Sequence, residues 1–310
     1  MNGIANINKP TGLSSSDVVI KARNAVSKAI GEKIKAGHLG TLDPGGAGVL
    51  PVTFGKATRL FDYFLKKDKT YRADFTFGVT TDTLDSYGKV IGKSESIPTL
   101  DDIKKIISEF TGKLLQVPPI YSSVSVNGKR AYDIARSGKE IELNAREIEI
   151  YSIDAVSQKN ERTYTFDLHV SSGTYIRSVA RDMASRLGSV AYMSSIIRTR
   201  SGAFDIAHAR TLDEFLSDPL YDIVSLETAL SCEASLTLSR GDETRVLNGV
   251  KTSVSRLIDN AKAIDMRGKK CGMDDYLREG GVAVLRLSNG KILGLFRSKD
   301  ENADITARLI

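Results

Sequence analysis

Thiols, imidazoles and long apolar runs are scarce in these 310 residues, and each scarcity closes off a class of chemistry. The two cysteines, Cys232 and Cys271, stand far apart with no CxxC pair, so neither a disulfide framework nor a zinc knuckle can be built from them. His38, His169 and His208 are equally scattered, which excludes a dedicated nitrogen and sulfur metal site. No apolar stretch approaches the roughly 18 residues a membrane-spanning helix requires. The opening segment, residues 1–12, lacks the charged and apolar regions of a secretory signal, and a cytoplasmic protein without membrane contact is expected.

What is present is an ordinary globular composition with an uneven distribution of charge. The net charge is +6, but residues 1–70 carry 11 Lys/Arg against 5 Asp/Glu and residues 235–310 carry 14 against 10, leaving the middle mildly acidic. Two basic segments flanking an acidic centre suit a polyanion laid across two regions, because each neutralised phosphate releases counterions. Many soluble proteins are equally basic for no such reason, so charge alone does not decide.

The chain length points to about two domains. Ile4, Ala5 and Ile7 read as a short strand. Ser14 to Asp17 then offer N-caps for a helix whose apolar face runs Val18, Val19, Ala22, Ala25, Val26, Ala29 and Ile30 before Gly31 ends it. Residues 37–48 hold too many glycines, with Pro44, for a regular element and read as an ordered loop. Helices are expected over 57–67, 100–110 and 175–187. Alternating strands are expected over 71–79, around Ile148 and Ile150, and through Tyr164, Phe166, Leu168 and Val170, with an Asn127-Gly128 turn between. Strands and helices do not alternate strictly, which favours an α+β fold with a mixed, mostly antiparallel sheet and flanking helices. Near residue 232 the texture changes to short β runs and Gly-rich turns, as in a small β-barrel or sandwich. The expected domains are 1–232 and 233–310.

Asp43 is the chemically interesting residue of the glycine-rich loop. Pro44 holds it extended, and Gly45 and Gly46 allow a ligand or another backbone to come close. The tetrapeptide alone is ordinary turn chemistry. Around it, His38 shares the loop and Leu39, Leu42, Val49 and Leu50 anchor both sides, as a rigidly mounted functional loop requires. A carboxylate in such a pocket needs a cationic or hydrogen-bonding partner, and Arg177 at the mouth of a predicted helix is a candidate.

The run from Gly37 to Val52 closely resembles the catalytic motif of the TruB family of tRNA pseudouridine synthases. It is accompanied in order by Asn8-Lys9-Pro10-Thr11-Gly12, Lys69-Thr70-Tyr71-Arg72, Thr81-Asp82-Thr83-Leu84-Asp85, Gly173-Thr174-Tyr175-Ile176-Arg177 and Arg198-Thr199-Arg200-Ser201-Gly202. The resemblance covers about residues 3–210, and the remainder looks like the PUA module that such enzymes carry. It implies isomerisation of uridine 55 in the T loop of tRNA, by flipping the base, breaking N1–C1′, turning the uracil and joining C5 to C1′, with no cofactor. The T stem-loop is the implied partner, and a monomer needing no protein partner is expected. Carried over, the catalytic residues are Asp43 as essential carboxylate, Tyr71 stacking on the uracil and suited to help remove the C5 proton, and Arg177 pairing with Asp43. On the RNA side, His38 enters the T loop where the base has left, Asp85 contacts the extruded nucleotides, and Arg198 and Lys9 are counted with them, Lys9 and Pro10 chiefly as fold support near the site.

Physical expectation agrees, since chemistry on a stacked nucleotide requires flipping it into a pocket beside an aromatic platform. Pattern alone also reads Tyr71 as core, His38 as a loop hydrogen-bonder and Asp85 as a surface turn. The sequence departs from the family where Gly45 and Gly46 replace a bulky residue and alanine, which is expected to loosen the loop. Ile196-Ile197 replaces Leu-Arg, and Tyr192 stands where histidine is common. Alternatives are a guide-RNA-dependent synthase, disfavoured by the lack of long basic tails, and a non-catalytic RNA chaperone, which has no use for an acid held against an anion. Glycoside hydrolysis by Asp43 and Asp85 would release free uracil.

Overall fold

Strand alternation places Tyr71, Ala73, Phe75 and Phe77 on one face of their strand, and Tyr164, Phe166, Leu168 and Val170 on one face of theirs. The computed structural model describes residues 1–122, 124–126, 128–136 and 141–310, and pairs these runs antiparallel with Ala73 opposite Phe166. Phe75 stacks on Phe166 with ring centroids 4.5 Å apart. The helix Ile176–Arg186 closes this core with Ile176, Val179, Ala180, Met183 and Ala184.

In chain order the strands are β1 (Gly3–Lys9), β2 (Ala36–His38), β3 (Ala47–Phe54), β4 (Lys69–Phe77), β5 (Val79–Thr81), β6 (Val90–Lys93) and β7 (Gly112–Gln116). There follow β8 (Ser125–Val126), β9 (Lys129–Arg130), β10 (Arg146–Gln158), β11 (Thr163–Val170), β12 (Ala191–Ser201), β13 (Phe204–Asp205) and β14 (Arg210–Thr211). Among the described residues, ten strands form the main sheet in the order β14-β1-β3-β12-β4-β11-β10-β7, with β2 on β3 and β13 on β12. The β1/β14 and β3/β12 pairs are parallel, and the other pairs in this sheet are antiparallel. The expected mixed, mostly antiparallel α+β sheet is therefore present. Strands β8 and β9 pair around the expected turn, although Asn127 itself lies outside the described residues.

Several local expectations change. The 57–67 segment is a 3-10 turn, Gly55–Leu60, leading into a single α turn, Phe61–Leu65, and helix 100–110 turns 3-10 after Ile106. Residues 37–48 are not wholly irregular, because each end joins a strand. The long helix Ser15–Ile30 forms where predicted. Ser14 and Asp17 make a reciprocal capping box at its start, and Gly31 at φ 75° closes its end.

Beyond residue 232 come β15 (Ser235–Thr237), β16 (Ala263–Asp265), β17 (Ala283–Arg286), β18 (Ile292–Lys299) and β19 (Asn302–Arg308), in the sheet order β16-β15-β17-β18-β19. Short helices Arg240–Leu247, Val254–Asp259 and Met273–Arg278 cover one side, so this segment is not the purely β unit that the sequence led us to expect.

The two faces of β1 and β3 have different partners. Ala5, Ile7, Leu50 and Val52 pack on helix Ser15–Ile30, whereas Ile4 and Val49 join a cluster containing Val284, Ile292, Leu295, Ala307 and Leu309. The C-terminal sheet thus shares a core with the sheet that carries the Asp43 loop. Leu295→Ala is expected to cost about 2–5 kcal/mol, read from urea unfolding, and to leave a single cooperative transition. Two separated transitions would contradict a shared core.

Candidate active site

The Asp43 loop is held by hydrogen bonds that leave its acid free to face outward. Leu39 and Leu42 are buried as anchors. The Ser15 hydroxyl donates to the Leu42 carbonyl and accepts from its N–H, each at 2.8 Å. Gly46 N–H donates to the Asp43 carbonyl at 2.9 Å, and Gly12 N–H to that of Pro44 at 2.8 Å. These tethers hold the loop on both sides of Gly45.

Two buried cations complete the frame: Lys9 in the supporting place expected of it, and Arg198 tied to loop carbonyls where an RNA contact was expected. Arg198 is 1% exposed, and its guanidinium donates to the carbonyls of Val49 at 2.7 Å, Gly40 at 3.0 Å and Thr41 at 3.3 Å. Lys9 is 0% exposed, and its Nζ donates to Leu13 at 2.6 Å, Pro10 at 2.9 Å and Pro44 at 3.4 Å. Both donor sets are directed at backbone carbonyls and away from solvent, because loop carbonyls buried beside them need partners. Gly48 makes this approach possible. Its φ of 101° favours glycine, and a Cβ there would sit 2.8 Å from the Arg198 backbone nitrogen.

Arg177 lies in the first turn of helix Ile176–Arg186 and is 7% exposed. Its Nη2 is 2.9 Å from Asp43 Oδ2, and its Nη1 is 3.6 Å from Asp85 Oδ2. The same two nitrogens donate to the carbonyls of Tyr121 and Thr83, both at 3.0 Å. Asp85 Oδ1 accepts from Thr83 Oγ1 at 2.6 Å and from Tyr87 N–H at 3.0 Å. One planar cation therefore joins two carboxylates and two loop carbonyls. The Asp43 side chain remains 47% exposed, whereas Asp85 is largely enclosed. Asp43 is thus the more open of the two carboxylates, and Asp85 is engaged in holding Arg177.

Asp43 and Arg177 line a cleft of about 950 Å³ together with His38, Lys69 and Tyr71. Tyr71 stands on β4 opposite Leu168 and Arg198, half-buried, with its ring packed against the main core. It is both core and cleft wall. His38 is half-buried on β2, with its Nδ1 unpartnered among the described residues, and burial followed by the nearby Arg198 charge lowers its pKa. Burial pushes the Lys69 ammonium down to about 8, with Arg198 adding to the shift. Lys9 falls to about 8 for the same first cause, opposed by Asp43. A second pocket of about 250 Å³ adjoins it, sharing Asp43 and Arg177 and walled by Tyr87, Tyr121 and Tyr132. Among the described residues, no group of three or more His, Cys, Asp or Glu side chains is placed to hold a metal ion.

Sequence reasoning missed the Thr83 and Tyr121 carbonyls, which any residue could supply, and Ser15, hidden among equivalent serines. It also missed Tyr87, for which the glycine at position 45 was the available signal.

Two measurements follow from the burial of these cations. Arg198→Ala should destabilise the fold by about 1–3 kcal/mol for each carbonyl left unpaired, seen in urea unfolding, while the salt dependence of RNA binding stays the same. A shallower salt slope would make Arg198 a phosphate contact after all. Between pH 8 and the unfolded lysine value near 10.5, the unfolded chain binds the proton that folded Lys69 has lost, so unfolding free energy rises with pH. Relative to Lys69→Met, the wild-type chain should gain stability from pH 8 to 10; parallel profiles would refute a depressed lysine.

Residues 28–176 match the family model of the TruB family pseudouridylate synthase N-terminal domain. The chain is 41% identical to tRNA pseudouridine synthase B of Clostridium novyi over 84% of this chain and 88% of that protein. It is 36% identical to the protein of that name in Caldanaerobacter subterraneus subsp. tengcongensis, over 84% and 92% of the two chains. For Clostridium tetani the figures are 35%, 90% and 97%. The fold is similar to that of a chain in a crystal structure of a Cbf5-Nop10-Gar1 complex, with a TM-score of 0.69 at 23% identity over 99% of this chain and 85% of that one. With relatives of this identity aligned over most of both chains, the sequence belongs to the TruB family of pseudouridylate synthases, an isomerase family.

Proposed function

We propose that the chain isomerises uridine 55 in the T loop of tRNA to pseudouridine, with Asp43 as the essential carboxylate. Relatives named as tRNA pseudouridine synthase B support tRNA as the substrate. The observation that carries the chemical reading is a half-exposed Asp43 carboxylate, 2.9 Å from a buried guanidinium, in a cleft of about 950 Å³. That cleft is within the range of ligand sites, roughly 300–1,000 Å³.

In this reading the flipped uridine enters beside Asp43 and lies against Tyr71. Unstacking costs a few kcal/mol, and aromatic contact with the base offsets part of it. The bond from N1 to C1′ breaks, the uracil turns, and C5 bonds to C1′. The C5 proton leaves and N1 gains one, so composition is unchanged. Asp43 acts at the sugar or at the base, and Tyr71 helps remove the C5 proton. Arg177 pairs with the Asp43 carboxylate and aims it. His38 fills the gap that the flipped base leaves in the T loop. Arg198, Lys9 and Asp85 act through the loop and through Arg177, without touching RNA.

Residues 1–232 form the synthase domain in this proposal, and residues 233–310 a PUA-like RNA-binding domain. Its support is the excess of basic residues after 235 and a sheet of its own. Recognition rests on shape and on splayed bases, since the deep major groove of RNA is closed to side chains.

Incubation with an unmodified T stem-loop, followed by mapping of the modified base, tests the proposal. Pseudouridine at one T-loop position is expected, with RNA mass unchanged and no free uracil. Asp43→Asn should abolish turnover with affinity for the stem-loop largely retained, and Arg177→Ala should lower rate more than affinity. Retained turnover in Asp43→Asn, or release of uracil, would remove the assignment.

A further inference from the structure

Gly45 has no backbone reason to be glycine. Its φ is not among the positive values of this chain, so its conformation admits other residues. Its reason is space. A Cβ at this position would lie 3.0 Å from Cδ2 and 3.2 Å from Cζ of Tyr87, and closer still to Cε2. The Tyr87 ring therefore occupies the volume that a side chain at position 45 would fill.

The ring stands on a fixed base. Tyr87 N–H donates to Asp85 Oδ1 at 3.0 Å, and the other oxygen of that carboxylate faces Arg177 at 3.6 Å. Thr81 Oγ1 donates to the Asp85 carbonyl at 2.7 Å, and Met193 N–H donates to that of Leu84 at 3.0 Å, which ties the turn to β12. Core burial does not explain Tyr87, a residue that is 68% exposed. It spans from the Asp85 turn to the Asp43 turn, across the smaller pocket that both line.

We propose that Tyr87 is a positioning residue for the isomerisation: its ring, seated on Gly45, braces the Asp43 loop against the Asp85 turn, so that both carboxylates meet Arg177 in register. This rests on the functional reading above and adds a residue to it. The brace explains how a loop carrying two adjacent glycines keeps its acid in place, since small misplacements of a reacting group are costly in rate.

Steady-state kinetics on the T stem-loop give the first test. Tyr87→Ala should lower kcat roughly ten- to hundredfold with KM changed by less than about twofold, and Tyr87→Phe should restore kcat. Gly45→Ala should reproduce the loss in the wild-type chain but add little in a Tyr87→Ala background, where the space is vacant. A raised KM with kcat intact would make Tyr87 an RNA contact, and unchanged kinetics or equal Gly45→Ala losses in both backgrounds would also overturn the brace.

A second test needs no catalysis. The chain has no tryptophan, so Tyr87→Trp places a single indole at the seat. Adding Gly45→Ala should shift its emission to the red and increase quenching by acrylamide; identical spectra would overturn the seat. A wild-type chain that makes no pseudouridine would overturn the functional reading, and the positioning role with it, even where the optical seat persists.

Discussion

The site depends on a guanidinium withdrawn from water and surrounded by oxygen. Arg177 has Asp43 on one side, Asp85 on the other, and the carbonyls of Tyr121 and Thr83 within 3.0 Å. Burial of a lone cation is expensive, and these oxygens are what make it tolerable. The consequence runs outward. A fixed charge at the mouth of a helix holds three separate loops in one place, and only Asp43 among its carboxylates keeps a large exposed surface.

The frame behind that pair uses the same device a second time. Arg198 and Lys9 direct their donors at carbonyls of the Asp43 loop and its neighbours, where a lost charge would leave several acceptors unpaired. Gly48 lets β3 and β12 come close enough for Arg198 to reach across them. The C-terminal sheet then packs against the reverse face of β1 and β3 through Leu295 and its neighbours. Loop, sheet and C-terminal unit are thus mechanically continuous.

Much of this was legible from residue pattern. The alternation through Phe75 and through Phe166 predicted two half-buried strands, and Ser14 with Gly31 marked the ends of the long helix. The loop around Asp43 announced itself by its density of glycine and proline. Strand β12 was not legible, although it lies centrally in the sheet, because register shifts between Met193 and Ser195 and between Arg198 and Arg200 break its two-residue period. The C-terminal helices Val254–Asp259 and Met273–Arg278 are too short to show a helical repeat. Arg198 was read as an RNA contact because its type suits phosphate, and sequence carries no record of which carbonyls a fold leaves unpaired. Tyr87 was missed for a related reason, since its role is defined by the absence of a side chain at position 45.

The most direct test of the account is a crystal structure of the Asp43→Asn chain with an unmodified T stem-loop. The account predicts one uridine extruded into the cleft, its ribose within about 3 Å of residue 43 and its uracil against Tyr71. A uridine still stacked within the RNA, or bound away from residue 43, would contradict it.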